Sequence, residues 1–393
     1  MTRRYEIDAV RGLMLVLMTL THLPTRFSHY AGEPFGFVSS AEGFVFLSAF
    51  MVGWIHVARA KKNANAVMRG AVWHRAFILY ACQIGMLLFL LTIVAPIGSA
   101  KAQPAITDLV SFFHHEPLTA LSSGLFLLYD PPLLDILPLY IPLMLVTPAV
   151  LTLSLRRGWA PILGISFGLW ILAQFGVGRI VYQAIAGATR FDMPYAQTGA
   201  FSLLAWQLLW IIGLWMGSAR ADDDERAIAT PGWLVAPAAV VALVFLLWRH
   251  ATGEMPFPSG NELNTLFDKW RLAPLRLLDF VALLVVTIRW GSAVAPWFAR
   301  PFLTRLGAAS LPVFCSHLVI CLLALAFFGT EYDHRGWGVD VALLIGTFAA
   351  LYAVAEVSLR MGRVAGERTS GNRIVLNTPV PRSPASMADN LST

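Results

Sequence analysis

The first apolar segment of the chain reads Arg11-GLMLVLMTLT-His22, with an ionisable residue at each end. Roughly eleven helical steps make about three turns, so a helix would carry both side chains on one face, about 16 Å apart along its axis. An ionisable side chain inside a membrane helix costs about 2.5 kcal/mol or more, and such residues usually line a protein interior or a polar cavity. The segment therefore predicts a polar face that crosses much of a bilayer.

The composition indicates an integral membrane protein. Of the 393 residues, 57% are hydrophobic and 13% are charged, and the mean hydropathy is +0.65. Soluble proteins carry about 25% charged residues. The net charge is +6, but the sequence does not indicate a cluster of basic residues on one face, so no nucleic-acid partner is predicted. Cys82, Cys315 and Cys321 lie in apolar stretches without metal-ligand spacing, and we interpret them as core residues and predict no metal.

Hydropathy predicts an all-α, polytopic protein with about ten spans. Their approximate boundaries are 11–28, 36–58, 73–96, 133–155, 159–178, 199–219, 232–249, 274–290, 306–328 and 339–359. Lys and Arg are roughly twice as frequent in the loops on the side that holds the termini, and the positive-inside rule makes that side cytoplasmic. We expect a transmembrane domain over 1–361 and a disordered, Ser-, Pro-, Asn- and Arg-rich tail over 362–393.

His22 and Glu42 are the first candidates for chemistry. An imidazole can act as a general base or a nucleophile, although a histidine at a membrane interface also commonly bonds a neighbouring carbonyl. Glu42 opens the second span on the same side as His22. It could orient the imidazole, as a carboxylate does in acyl-transfer sites, or it could simply lie at a helix N-terminus and be stabilised by the helix dipole.

Further polar residues lie in three later spans. Asp135 and Tyr140 would lie roughly 7 Å apart along a helix at the extracytoplasmic entrance of the fourth span. They could bind a sugar, or they could be an N-terminal cap and an interfacial tyrosine. His317 is predicted inside the ninth span, where it has either a direct role or an interhelical bond, and Gln207 is predicted to link helices. We interpret the run Asp222-Asp223-Asp224-Glu225 as a solvated cytoplasmic turn.

Motifs in the sequence disfavour two other classes of protein. It contains no phosphate-cradling glycine loop, which disfavours a nucleotide-driven pump. The pentapeptide Gly164-Ile165-Ser166-Phe167-Gly168 has the Gly-x-Ser-x-Gly spacing, but it lies inside the predicted span 159–178 rather than at a strand-to-helix elbow, which disfavours a serine hydrolase. A carrier or flippase of an envelope-related solute remains the main rival to an enzyme, with the same polar residues lining a transport path. The lack of an evident internal repeat disfavours a transporter built from two halves. A catalytically silent scaffold is a third possibility.

The spacing Arg11-x10-His22 resembles the first-span signature of acyltransferase family 3. More narrowly, the chain resembles the OpgC-type proteins linked to succinylation of osmoregulated periplasmic glucans. The matching stretches are 7–12, 41–48, 135–140, 205–209 and 310–317. One departure is Ser48-Ala49, where the family usually shows Ser-Gly.

The resemblance implies a ten-span enzyme of the bacterial inner membrane. It would transfer a succinyl or acetyl group from cytoplasmic acyl-CoA to a periplasmic glucan or other envelope glycan. His22 and Glu42 would be catalytic, Arg11 would hold the site or the CoA donor, and Asp135, Tyr140 and His317 would contact substrate. The sequence leaves open whether His22 deprotonates the acceptor or carries the acyl group, and it leaves the oligomeric state unknown.

Overall fold

The computed structural model describes residues 5–221, 230–330 and 335–376, and all regular structure in these residues is helical. This confirms the all-α prediction. The helices are α1 (Tyr5–His22), α2 (Ser28–Ala31), α3 (Ser40–Phe89), α4 (Ala95–Ala100), α5 (Pro104–Leu109), α6 (Ser111–His115), α7 (Pro117–Leu125), α8 (Ile136–Arg157), α9 (Ala160–Gln174), α10 (Val177–Thr189), α11 (Leu203–Ala221), α12 (Gly232–Thr252), α13 (Pro274–Phe298), α14 (Pro301–Ala308), α15 (Ser310–Phe328) and α16 (Trp337–Leu376).

Six helical segments in the described part of the chain are long and apolar enough to cross a membrane. They are Ser40–Val57, Asn65–Ala100, Ile136–Arg157, Gly232–Thr252, Ser310–Phe328 and Trp337–Gly362. A seventh arises if the bent pair α9 and α10 forms one span. The predicted count of about ten is therefore not confirmed. Helices α1, α11 and α13 fall outside this set. Of these, α1 and α13 carry ionisable residues such as Arg11 and Arg276.

The two halves of α3 lie side by side. Ser48 and Leu79 line the same cavity although about 30 residues separate them, which would be about 45 Å along a straight helix. Phe44 and Cys82 likewise contact neighbouring residues of α15. Residues 40–57 and 65–89 therefore form two adjacent walls of one helical bundle.

Glycines allow the closest helix contacts in the bundle. A Cβ atom on Gly12 of α1 would lie 2.0 Å from the carbonyl oxygen of Leu303, and one on Gly307 of α14 would lie 1.8 Å from that of Asp8. Only glycine permits such backbone proximity, as in the small-residue interfaces of membrane helices. The contact holds α1 against α14 and the start of α15.

Several predicted boundaries are wrong for local reasons. Helix α1 ends at His22 rather than 28, because Pro24 cannot continue the hydrogen-bonding pattern. Between α9 and α10 the chain bends by 76° at Gly176, which has a left-handed φ of 72°. Helix α16 continues to Leu376, past the predicted end of the tenth span at 359. The acidic run at 222–225 and residues 377–393 of the predicted tail lie outside the described residues.

Candidate active site

Two histidines from opposite ends of the chain meet at the end of α1. Nδ1 of His22 lies 3.3 Å from Nε2 of His317, and the rings are stacked with centroids 5.6 Å apart. His317 lies two turns into α15 and is completely buried, whereas His22 is partly exposed. The arrangement gives His22 a neighbour that can hold its ring and exchange a proton with it.

The predicted shared face of Arg11 and His22 is present. The Arg11 guanidinium donates a hydrogen bond to Oγ of Ser310 at 2.6 Å. Ser310 and His317 both belong to α15, so one helix contacts both ends of the Arg11–His22 face. The polar face of α1 therefore points into the bundle.

A cavity of about 500 Å³ begins beside Arg11. Its polar lining comprises Arg11, Ser48, His56, His74, Arg75, Tyr140 and Ser310. Two aromatic rings of its wall, those of Phe44 and Phe314, stack with centroids 5.8 Å apart. The Phe314 ring also contacts His317 edge-on at 5.0 Å. Phe314 therefore contacts both the cavity and the histidine pair.

The described contacts of Glu42 are with Ser39 and Arg276 rather than with His22, and its catalytic role stays a prediction. One carboxylate oxygen accepts hydrogen bonds from the backbone and hydroxyl of Ser39, which forms a capping box at the start of α3. The other oxygen forms an ion pair with Arg276. None of the hydrogen bonds described for Glu42 goes to His22, whose ring faces His317 instead.

Arg276 belongs to a buried charge network that sequence reasoning missed. Besides Glu42 it pairs with Glu33 at 2.7 Å, and Glu33 also pairs with Arg249 at 2.8 Å. Burial by itself would raise the pKa of Glu33, but Arg276 and Arg249 together lower it. The network joins the loop before α3 to the facing ends of α12 and α13.

Asp135 and Tyr140 have different contacts, and their predicted joint role in sugar binding stays a prediction. The Tyr140 hydroxyl donates to the carbonyl of Phe44 at 2.9 Å and lines the cavity. Asp135 precedes α8 and interacts electrostatically with Lys269. Lys269 also acts electrostatically on His22. Lys269 was not predicted from the sequence, because it lies in a long loop far from any motif.

Gln207 has the predicted linking role. Its amide oxygen accepts a hydrogen bond from the Ser166 hydroxyl and its amide nitrogen donates to the Ser166 carbonyl, both at 2.7 Å. These bonds join α11 to α9. This prediction succeeded because a lone amide in an apolar helix has few other ways to satisfy its hydrogen bonds.

Comparison with protein-family models finds one match, described as OpgC protein, over residues 3–363. The chain belongs to the OpgC family. The match includes every residue of the histidine pair, the cavity lining and the buried charge network. Comparisons with curated proteins and with solved structures found no match. OpgC membership and the apolar helices together indicate a multi-pass membrane acyltransferase that acts on a glucan.

Proposed function

We propose that this OpgC-family protein transfers a succinyl or acetyl group from acyl-CoA to a hydroxyl of a periplasmic glucan or another envelope glycan. The observation that carries the proposal is the His22–His317 pair, with its 3.3 Å nitrogen–nitrogen separation, next to a large cavity. An imidazole within reach of a second imidazole can gain and pass on a proton in each turnover. No metal is needed in this scheme.

The cavity fits the donor side of the reaction. Its volume of about 500 Å³ lies within the range of about 300–1,000 Å³ typical of small-molecule sites. Arg11, His74 and Arg75 supply cationic or titratable groups for the phosphates of the donor. We propose that the pantetheine arm lies in the cavity with its thioester towards the Phe44–Phe314 pair.

His22 is the proposed catalytic residue. In direct transfer, one ring nitrogen takes the proton of the acceptor hydroxyl while the oxygen attacks the thioester carbonyl carbon. The carbon–sulfur bond then breaks, and the sulfur takes a proton to leave as the CoA thiol. In the alternative, the same nitrogen first attacks the thioester carbon, the carbon–sulfur bond breaks, and CoA leaves as the thiol with the proton that the imidazole releases. The acceptor hydroxyl then attacks the acyl-imidazole, the carbon–nitrogen bond breaks, and the hydroxyl proton returns to the imidazole. His317 holds the ring in either route, and Arg11 positions α15 through Ser310.

The proposal also assigns an orientation. With both termini in the cytoplasm, Arg11 and the cavity lie towards the acyl-CoA pool, and His22 lies towards the periplasmic face. About ten spans in a bacterial inner membrane are consistent with this scheme when α1, α11 and α13 count as spans despite their polar residues. Glu42 then acts as part of the frame that holds α3 against α13, rather than as a partner of His22.

A transfer assay tests the proposal. Purified protein in detergent or liposomes is incubated with radiolabelled succinyl-CoA or acetyl-CoA and periplasmic glucan. We expect CoA release and labelled glucan with the wild type, and loss of both with His22→Ala. The matched control is His115→Ala, which removes an exposed histidine of α6 and should leave activity unchanged.

Two results would contradict the proposal. Activity of a folded His22→Ala variant within a few fold of the wild type would exclude a catalytic His22. Movement of glucan or another solute across the liposome membrane without CoA release would instead support a carrier or flippase.

A further inference from the structure

Three loops are tied together at the end of the bundle where α1 finishes. The backbone N–H of Asp130 donates to the carbonyl of Gln197 at 3.0 Å, which joins the loop before α8 to the loop before α11. The N–H of Ser202 donates to the carbonyl of Trp270 at 3.0 Å, which joins the second loop to the one before α13. The side chains on these loops are therefore held in a defined arrangement.

Asp130 and Asp135 are neighbours in this arrangement. Both β-carbons approach Gly199, where an added Cβ would lie 3.0 Å from that of Asp130 and 3.4 Å from that of Asp135. Gly199 has a φ of +83°, so it has both the conformation and the lack of a side chain that the contact requires. The two carboxyl groups interact electrostatically across it.

Lys269 supplies a cation to the same region. Its charge acts on Asp135 and also on His22, so the ammonium group lies within electrostatic range of both. Its Nζ lies 4.9 Å from the centroid of the Trp270 ring, a cation–π contact that holds the side chain. Lys269 therefore interacts electrostatically both with Asp135 of the carboxyl pair and with the proposed catalytic histidine.

Asp130 is buried, but in the part of the chain that the structure describes its carboxyl group lacks the hydrogen bonds that would compensate for that burial. Its residue is only 8% exposed, and its Oδ1 has no hydrogen-bond partner among the described residues. Burial, with a further contribution from Asp135, raises the pKa of Asp130 to about 9, so at neutral pH the carboxyl keeps its proton and can donate it in a hydrogen bond. Buried polar groups without partners are rare, and those at functional sites often await a ligand.

We propose that Asp130, Asp135 and Lys269 bind hydroxyl groups of a neutral carbohydrate beside His22. The inference rests on the proposed function, because it identifies this cluster as the acceptor subsite of the transfer. Asp130 and Lys269 offer donors and Asp135 offers an acceptor, and neighbouring sugar hydroxyls both donate and accept. The charges of Asp135 and Lys269 offset each other, which favours a neutral ligand over a phosphorylated or amino sugar.

Binding of a neutral glucose pentasaccharide to the full chain in nanodiscs tests the subsite, with calorimetry as the readout. We expect Asp130→Asn, Asp135→Asn and Lys269→Met each to weaken binding about tenfold or more, and Lys269→Arg to restore part of the loss because it keeps the donors. The controls are Lys101→Met, which removes a lysine held over Phe327, and Asp108→Asn, which alters an exposed carboxylate. Both should bind like the wild type.

The outcomes separate the subsite from the proposed function. In transfer assays the three variants should raise the KM for the glucan more than they lower kcat. If the wild type binds the pentasaccharide through these residues but transfers no acyl group, the subsite stands and the proposed function fails. If the wild type transfers acyl groups while the variants bind the sugar as it does, or if a glucose phosphate binds more tightly than the neutral sugar, the subsite is overturned.

Discussion

Glu42 and Arg276 form an ion pair in which the carboxylate side chain is completely buried and the guanidinium side chain is 2% exposed. The two residues begin α3 and α13, which lie far apart in the sequence. Because Arg276 also pairs with Glu33, one guanidinium fixes the loop before α3 and the first turn of α13 together. The site next to His22 is assembled on this frame.

Removing the Glu42 carboxylate should destabilise the protein strongly. Glu42→Ala leaves Arg276 buried with part of its charge uncompensated, and such a loss costs about 3–5 kcal/mol. Unfolding in a mild detergent, followed by circular dichroism, measures the effect. The matched control is Glu254→Ala, since Glu254 is 70% exposed and meets Arg249 at 3.5 Å; an exposed pair of this kind contributes about 0–1 kcal/mol. Equal effects of the two substitutions would contradict a structural role for the buried pair.

The close contact of α1 with α14 should not tolerate an added methyl group. Gly12→Ala and Gly307→Ala each bring a Cβ to about 2 Å or less from a backbone carbonyl oxygen of the other helix, so the helices must separate. We expect little folded protein by size-exclusion chromatography. Gly164→Ala in α9 is the control, because its Cβ would meet no atom within 4 Å and alanine favours a helix by about 1 kcal/mol relative to glycine. A normal yield of folded Gly12→Ala protein would show that α1 and α14 can move apart with little loss of stability.

Phe314 should control access between the cavity and the histidines. Phe314→Ala removes the ring that contacts both Phe44 and His317, so water gains a path to the thioester beside His22. We expect hydrolysis of acyl-CoA without acceptor to rise several fold, measured as CoA release. Phe314→Leu keeps most of the apolar volume and should hydrolyse the donor at nearly the wild-type rate. An unchanged rate in a folded Phe314→Ala variant would argue against a barrier at this position.

Asp130 should make the folded state less stable as the pH rises. Its pKa is raised to about 9 in the fold against about 4 in an unfolded chain, so the folded state binds more protons between these values. The free energy of unfolding therefore falls as the pH rises through this window, and Asp130→Asn removes the effect. We expect the variant to gain stability relative to the wild type at pH 8 and to gain less at pH 5, by thermal unfolding at both pH values. A gain that is independent of pH would contradict the raised pKa.

Asp130 would then lower the stability of the folded state and contribute to binding of the neutral sugar. A buried carboxyl without a partner weakens the fold, and groups of this kind persist at functional sites. Asp130→Asn should accordingly raise the melting temperature while weakening binding of the neutral sugar. These opposite effects distinguish a ligand-binding residue from a merely structural one.

Local properties of the helices were readable from the sequence. The common face of Arg11 and His22 follows from 3.6 residues per turn, and Gln207 had to find a partner because an amide cannot remain unbonded in an apolar helix. Helix ends were less accurate, as the end of α1 at His22 and the bend at Gly176 show. The number of spans was harder to predict, because hydropathy gives about ten apolar segments whereas six or seven of the described helices are long and apolar enough to cross a membrane.

The sequence by itself determined the all-helical membrane class and the polar face of α1, since both depend on composition and short-range periodicity. Only the tertiary structure decided which residues meet on that face. His22 is paired with His317, 295 residues away, and Glu42 is paired with Arg276, 234 residues away. Such partners depend on which helices pack together and how closely their backbones approach, and glycine contacts such as that of Gly12 with Leu303 set that approach in three dimensions.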